Sequence, residues 1–185
     1  MIVLASASPR RKELLALLTQ DFVVEPSNAD ESCDLKEATE LVRFLAHKKA
    51  ADVFVGRQGD VVIGADTVVE APDGEIFGKP NDLDDARRML GALSGNTHRV
   101  HTGVCVMAGD KILKDVSSTQ VCFAPLSDAE LGRYLKQENV MDKAGAYAIQ
   151  GSAARFVKSV SGCFFNVVGL PVSMVYEMLG SLHVL

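Results

Sequence analysis

The chain has 185 residues, of which 48% are hydrophobic and 23% charged, and its formal net charge at pH 7 is −5. This composition excludes a disordered, collagen-like or disulfide-stapled chain. The acidic balance also argues against a general nucleic-acid binder or a membrane-surface protein, because both present a basic face. We expect one domain over residues 1–185, without a membrane span. Because the four cysteines show no zinc or disulfide spacing, we also expect a cytoplasmic location.

Strands and helices are predicted to alternate along the chain. In order they are a strand at 2–5, a helix at 9–19, a strand at 22–25, a helix at 35–55, a strand at 61–70, a helix from 82 or 84 to 91, strands at 97–108 and 111–124, a helix at 128–138, a strand at 156–160 and a helix at 171–179. The signals include Ser8-Pro9 and Asp34 as helix starts and a capping box at Ser127-x-x-Glu130. A hairpin turn at Gly109-Asp110 adds antiparallel pairs, so we predict an α/β domain with a mixed sheet.

The first turn of the first helix carries Arg10, Arg11 and Lys12. Cations at a helix N-terminus oppose the macrodipole, at a cost of about 0.3–1 kcal/mol each. The free N–H groups at the same end favour an anion. Together with Ser6 and Ser8, the two arginines indicate a site for a phosphate-bearing ligand. A solvated basic turn that faces an acidic loop is the alternative.

Three further charged residues are candidates for the same site. Lys49 lies on the apolar stripe of the predicted 35–55 helix, so its ammonium must reach a cleft or an anion, unless it snorkels at the helix end. Asp66 interrupts the apolar strand at 61–70, which is typical of a carboxylate that binds a cation or takes a proton. A hydrogen-bonded strand-end aspartate would show the same pattern. Lys79 precedes a proline that favours extended backbone, which would aim its ammonium from a loop.

The sequence lacks the motifs of several common nucleotide-binding and catalytic sites. It has no dinucleotide-binding fingerprint, no P-loop and no nucleophile elbow. His98 and His101 are three residues apart in a predicted strand, so they face opposite sides and cannot bind one metal in regular geometry. We interpret both histidines as structural. The residues therefore predict a cleft that binds polyphosphate, with carboxylates available for a metal.

Six segments resemble, in order, the motifs of the Maf family of nucleoside triphosphate pyrophosphatases. The most specific are LASASPRR at 4–11 and SGNTHRVHTG at 94–103. The others are ADTVV at 65–69, GKP at 78–80, DKAGAYAIQG at 142–151 and NVVGLP at 166–171. They span nearly the whole chain, which is therefore identified by resemblance as a member of this family.

The resemblance implies an elongated, twisted mixed sheet with two lobes around a deep cleft, as in inosine triphosphate pyrophosphatases, and a homodimer. It implies hydrolysis of a nucleoside triphosphate to the monophosphate and pyrophosphate with a divalent cation, Mg²⁺ or Mn²⁺. Asp66 matches the proton acceptor for the attacking water, and Glu31 matches an acid that helps to hold the metal. Asp66 can be both a neighbour of the metal and the base only if a water molecule lies between. The residues that match phosphate-binding positions are Ser6, Ser8, Arg10, Lys49 and Lys79.

The segment that ends in Gln150 resembles the branch of the family that acts on dTTP, UTP and their modified-base analogues. In that branch Arg11, Thr67 and Gln150 match the positions tied to substrate choice. A glutamine amide can accept from N3–H of uracil or thymine and donate to O4, whereas cytosine presents the opposite pattern. Three alternatives stay open: specificity for 7-methyl-GTP, nucleotide binding that regulates septum formation without turnover, and a glutamine that only closes a loop.

Overall fold

A computed structural model describes all 185 residues, which form seven strands and six α-helices. The strands are β1 (Ile2–Leu4), β2 (Phe22–Val24), β3 (Val61–Glu70), β4 (Ile76–Phe77), β5 (Thr97–Ala108), β6 (Lys111–Phe123) and β7 (Val157–Ser161). The helices are α1 (Pro9–Leu15), α2 (Ala38–Phe54), α3 (Leu83–Leu93), α4 (Asp128–Gln137), α5 (Phe164–Val168) and α6 (Val172–Ser181). Two short 3₁₀ helices, Ala144–Ala146 and Ser152–Phe156, lie between α4 and β7 in the chain.

All seven strands belong to one mixed sheet, in the order β2-β1-β3-β5-β6-β7, with β4 paired to the end of β3. β1 is parallel to both β2 and β3, and every other pairing is antiparallel. The predicted hairpin between β5 and β6 is present, and Gly109 at its turn has a φ of 59°, which glycine adopts without strain. The α/β class and the mixed sheet are therefore confirmed.

Helices cover both faces of the sheet, which explains why β3 is almost uniformly apolar. On one face α2 packs alone, with Ala46 and Ala50 against Val62 and Cys105. On the other face a larger hydrophobic cluster takes residues from α1, α3, α4, α5 and α6. None of these helices combines the length and the hydropathy that a membrane crossing requires.

Two glycines let α2 rest directly on the backbone of the sheet. A Cβ atom at Gly64 would lie 2.3 Å from the carbonyl oxygen of Ala46, and one at Gly103 would lie 2.3 Å from that of Val42. No side chain fits at these distances, so the close approach of α2 depends on glycine at both positions. Gly103 is also the ladder partner of Asp66, which brings the helix backbone beside that carboxylate.

Some element boundaries differ from the predictions. α1 ends at Leu15 instead of residue 19, because tighter turns close over the next three residues. α2 begins at Ala38 with Glu37 at its N-cap, so the prediction of Asp34 as the cap is wrong. The reason is that Leu35 lines the cleft described below instead of joining the helix stripe. β4 and α5 were not predicted, since two and five residues are too few to show a periodic pattern.

The strand β1 accompanies β3 over only part of its length. Their pairing reaches Ile63, whose carbonyl oxygen accepts a last hydrogen bond from the Ala5 amide. β3 continues to Glu70, but β4 pairs with it only from Val69. The edge of β3 at 64–68 therefore has no strand neighbour on this side. An open edge between diverging strands is a common position for a ligand site in α/β sheets.

Candidate active site

A cleft with a volume of about 710 Å³ opens beside the free edge of β3. All ten predicted site residues line it: Ser6, Ser8, Arg10, Arg11, Glu31, Lys49, Asp66, Thr67, Lys79 and Gln150. Asp142 and Lys143 line it as well, so five cations share the cleft with three carboxylates in a chain whose net charge is −5. Positive charge is thus concentrated in the cleft, an arrangement that favours an anionic ligand.

One lysine joins the two acidic residues of the predicted site. Lys49 Nζ lies 2.6 Å from Asp66 Oδ1 and 3.0 Å from Glu31 Oε1. Asp66 is buried on β3, whereas Glu31 extends from the loop between β2 and α2 and is half exposed. The arrangement explains why a charged side chain is tolerated on the apolar stripe of α2, because its ammonium is paired with two carboxylates at the cleft wall.

Arg11 is bound by the protein itself. Its Nε donates to the carbonyl oxygen of Gly169 at 2.9 Å, and its Nη1 donates to that of Ala65 at 2.8 Å. Nη1 also contacts Ser6 Oγ at 3.3 Å, and Nη2 donates to Thr67 Oγ1 at 3.0 Å. Burial lowers the pKa of the Arg11 guanidinium, and the nearby Asp66 carboxylate opposes that change. Four of the five N–H groups are therefore committed, and Arg11 clamps α1 to β3 and to the loop after α5.

A buried chain of hydrogen bonds extends from Thr67 and supports this clamp, and its members beyond Thr67 were not predicted as site residues. Thr67 Oγ1 lies 2.9 Å from Thr102 Oγ1, which in turn donates to the carbonyl oxygen of Asn166. The Asn166 side chain donates to the carbonyl oxygen of Val100 and to Thr119 Oγ1. These contacts fix α5 against the sheet. Thr102 and Asn166 lie in two of the resemblance motifs, which was the available signal.

The rim of the cleft carries the remaining predicted phosphate-binding residues. Arg10 Nη1 lies 3.3 Å from Asp142 Oδ2, so this arginine is paired with a carboxylate. Burial by itself raises the pKa of Asp142, but hydrogen bonds and charge from Lys143 and Arg10 outweigh it and lower the pKa. Lys79 is exposed, and Ser8 occupies the N-cap of α1 without a capping hydrogen bond from its side chain. The lysine and this hydroxyl are thus available to a ligand.

The segment 142–151 forms another wall of the cleft and presents Gln150. The Gln150 side chain is exposed and lines the cleft. Upstream, Gly145 and Ala146 have φ values of 66° and 61°, so two successive residues adopt the left-handed conformation. The amide of Gly145 donates to the carbonyl oxygen of Gly78 at 3.0 Å, which ties this segment to the loop that carries Lys79.

His98 and His101 point to opposite faces of β5, as predicted. His98 Nε2 lies 2.8 Å from the hydroxyl of Tyr147 within a buried aromatic cluster. His101 lies between Ser118 Oγ at 2.7 Å and Glu70 Oε2 at 3.0 Å. Neither histidine lines the cleft.

A family model described as "Maf-like protein" matches residues 1–182 of this chain. The chain belongs to the Maf family. Among Maf relatives, the dTTP/UTP pyrophosphatase of Thermococcus onnurineus is 46% identical over 178 residues, which cover 96% of each chain. That of Acholeplasma laidlawii is 43% identical over 186 residues, which cover all of this chain and 97% of the relative. The Ham1 protein of Staphylococcus aureus shares the fold, with a TM-score of 0.55 at 12% identity over 97% of this chain and 98% of that one.

The Maf cleft offers two carboxylates that could hold a divalent cation. Asp66 and Glu31 supply the oxygen ligands that Mg²⁺ and Mn²⁺ prefer, and Mg²⁺ is commonly held by one or two carboxylates together with substrate phosphates. No group of three or more His, Cys, Asp or Glu side chains is arranged around a common point. The donor set therefore fits a cation whose coordination the substrate helps to complete.

Proposed function

We propose that this chain hydrolyses dTTP and UTP to the nucleoside monophosphate and pyrophosphate. The proposal depends on one observation. Lys49 contacts both Asp66 and Glu31 in a cleft that also holds the unpaired polar groups of Lys79 and Ser8. Three kinds of group surround one free volume: a buried carboxylate, cations for phosphates and an exposed amide for a base. Relatives that are 43–48% identical to the chain carry the name dTTP/UTP pyrophosphatase, which supports this substrate class.

The substrate phosphates are proposed to bind the cations and the free hydroxyl group of the cleft. Lys79 and the hydroxyl of Ser8 are available at the rim, and Lys49 and Arg10 each have a carboxylate partner in the free protein. A triphosphate offers those two cations a stronger anion than one carboxylate, so binding would exchange ion pairs within the cleft. Cations held in place before the reaction stabilise charge that develops on the phosphates without further reorganisation.

Asp66 is the proposed proton acceptor for the attacking water. It lies on the open edge of β3, where no neighbouring strand blocks access from the cleft. Its position is fixed by the ladder with β5 and by the contact to Lys49. Such a rigidly held carboxylate can orient a water molecule and take its proton as the phosphoanhydride bond is cleaved.

A divalent cation is proposed as the cofactor, held by Asp66 and Glu31 with help from the substrate phosphates. When bound, it would neutralise phosphate charge in the transition state. Lys49 lies between the same two carboxylates, so its ammonium offsets part of their negative charge.

Base selection is assigned to Gln150. Its exposed amide can accept from N3–H and donate to O4 of uracil or thymine, whereas cytosine would leave both amide groups without partners. Arg11 and Thr67 are proposed to act with it, although Arg11 does so as a clamp, given that most of its N–H groups bind the protein.

The homodimer and the cytoplasmic location stay predictions. All four cysteines are free in the structure, which suits a reducing compartment. Size-exclusion chromatography with light scattering would measure the mass in solution, and twice the chain mass of 19.8 kDa is the expected value.

Pyrophosphate release from dTTP, measured with Mg²⁺ and with Mn²⁺, tests the proposed activity. We expect Asp66→Asn to lower kcat by at least about 100-fold, because the general base is lost. Asp110→Asn makes the same chemical change at the exposed tip of the β5–β6 hairpin and should leave the rate unchanged. Nucleotide binding without turnover by the wild-type protein would contradict the proposal and favour the regulatory alternative.

A further inference from the structure

The segment 94–103 contributes only Val100 to the lining of the cleft, yet one of its side chains reaches the wall that carries Gln150. His98 is buried, and its Nε2 lies 2.8 Å from the hydroxyl of Tyr147. Both rings pack edge-to-face with each other and with Phe123. Tyr147 lies three residues before Gln150. The hydrogen bond therefore connects β5 with the proposed base-selecting segment.

The backbone just before Tyr147 is held in a conformation that needs support. Ala146 has a φ of 61°, which a residue with a Cβ atom adopts only at an energetic cost. Gly145 is pressed so closely on β3 that a Cβ atom there would lie 2.8 Å from Val69 Cγ2. A strained turn of this kind persists when its surroundings fix it, and the contact between Tyr147 and His98 is a fixed point on its C-terminal side.

The imidazole is suited to this contact because it stays neutral. Burial lowers the pKa of His98 to about 4, so at neutral pH the ring carries a single proton. Its other nitrogen, Nδ1, is buried without a hydrogen-bond partner, which leaves Tyr147 as the sole polar partner of the ring. The phenol is neutral as well, since burial raises the pKa of Tyr147.

Gln150 itself makes no hydrogen bond with the protein that would orient it. Its side chain is exposed to the cleft, while Ile149 beside it is buried. The backbone between Tyr147 and Gln150 therefore sets the position from which this side chain extends into the cleft. Misplacement of a recognition group by about 1 Å is enough to cost a large factor in rate.

We infer that His98 and Tyr147 are positioning residues for base selection: their hydrogen bond fixes the segment 147–150 so that the Gln150 amide meets the N3–O4 edge of a uracil or thymine base. This inference rests on the proposed function. It adds two residues whose polar atoms bond to each other and that act on the base only through the position of Gln150. It also gives the segment 94–103 a role in specificity.

The test is the ratio of kcat/KM for dTTP to kcat/KM for dCTP in the purified full-length chain. Tyr147→Phe removes only the hydroxyl, and His98→Phe removes the ring nitrogens while it retains an aromatic ring. We expect each variant to lower this ratio by about tenfold, with the dCTP value nearly constant. Because both variants break the same hydrogen bond, we expect the double variant to lower the ratio no further.

Val175→Ala is the matched control, because it truncates a fully buried residue of α6 that does not line the cleft. A general loss of stability would lower the rates for dTTP and dCTP by the same factor, as expected for this control. An unchanged ratio in Tyr147→Phe, with or without an equal loss for both substrates, would overturn the inference. Tyr147→Phe alone decides the question if His98→Phe does not fold. Failure of the wild-type chain to hydrolyse dTTP and UTP would instead overturn the proposed function itself.

Discussion

Lys49 Nζ lies 2.6 Å from Asp66 Oδ1, although the two residues are 17 positions apart and belong to different elements. The lysine comes from α2 and the aspartate from β3, and the distance between these elements is fixed where α2 rests on Gly64 and Gly103. The same ammonium contacts Glu31. One cation thus contacts both acidic residues of the proposed site, and the packing of α2 on the sheet sets the distance between Lys49 and Asp66.

Loss of the Lys49 charge is expected to disable the site. Lys49→Met should lower kcat/KM for dTTP by at least about 100-fold, because a cation proposed to bind the phosphates is removed. Lys48→Met is the matched control, since Lys48 neighbours it on the same helix and stacks on Phe44 at 5.7 Å from the ring centroid. Pyrophosphate release under identical conditions compares the two variants. An equal loss in both would contradict a specific role for Lys49.

The contact between α2 and the sheet can be tested at Gly64. Gly64→Ala places a methyl group against the carbonyl oxygen of Ala46, so we expect the free energy of unfolding to fall by about 1–3 kcal/mol and the activity to fall with it. Gly91→Ala is the control, because nothing lies within 4 Å of a Cβ atom at this exposed α3 position. It should be neutral or stabilising by up to about 1 kcal/mol. Urea titration measures the free energy of unfolding of both variants. An unchanged value in Gly64→Ala would contradict the close packing.

Arg11 is expected to resist conservative replacement. Lysine cannot reproduce the planar set of donors that reaches Gly169, Ala65 and Thr67, so buried acceptors would lose their partners. We expect Arg11→Lys to lower the free energy of unfolding by about 2 kcal/mol, whereas Arg133→Lys on the exposed face of α4 should change it little. Thermal unfolding of the two variants distinguishes the clamp from a simple charge. Equal stability in both would exclude the clamp.

Burial of His98 predicts a pH-dependent contribution to stability. Its pKa falls from an ordinary value of 6.5 to about 4 on folding, so between these values the unfolded chain binds more protons than the folded chain. The contribution is therefore complete above about pH 6.5 and is lost as the pH falls towards 4. Its full size is on the order of 3 kcal/mol. Urea titrations from pH 7 to pH 4.5 should show a smaller decrease for His98→Phe than for the wild type. Equal decreases in the free energy of unfolding of the two proteins would contradict the lowered pKa of His98.

Local patterns predicted much of the fold because they report local physics. The apolar stripe of α2 placed Lys49 on a buried face, and the interruption of β3 marked Asp66. Both side chains lie in the cleft, as does every other residue that was singled out for the site. Their chemical roles stay predictions until the variants are measured.

Relationships between distant segments could not be predicted in this way. The partners of Arg11 include a carbonyl group 158 residues away, and Tyr147 lies 49 residues from His98. A backbone acceptor has no residue type that a pattern could show. The predicted start of α2 was wrong because aspartate is a residue type that often caps helices, whereas in the fold Leu35 lines the cleft and the helix begins at Ala38.

The most direct test of the central claim is pyrophosphate release by the wild-type chain from dTTP, UTP, dCTP, GTP and 7-methyl-GTP, with Mg²⁺ and with Mn²⁺. We predict turnover of dTTP and UTP that exceeds turnover of dCTP and GTP by at least about 100-fold in kcat/KM, since cytosine presents the opposite hydrogen-bonding pattern to the amide of Gln150 and guanine is a larger, purine base. Turnover confined to 7-methyl-GTP would contradict the assignment of Gln150, and the absence of any turnover would contradict the proposed hydrolysis.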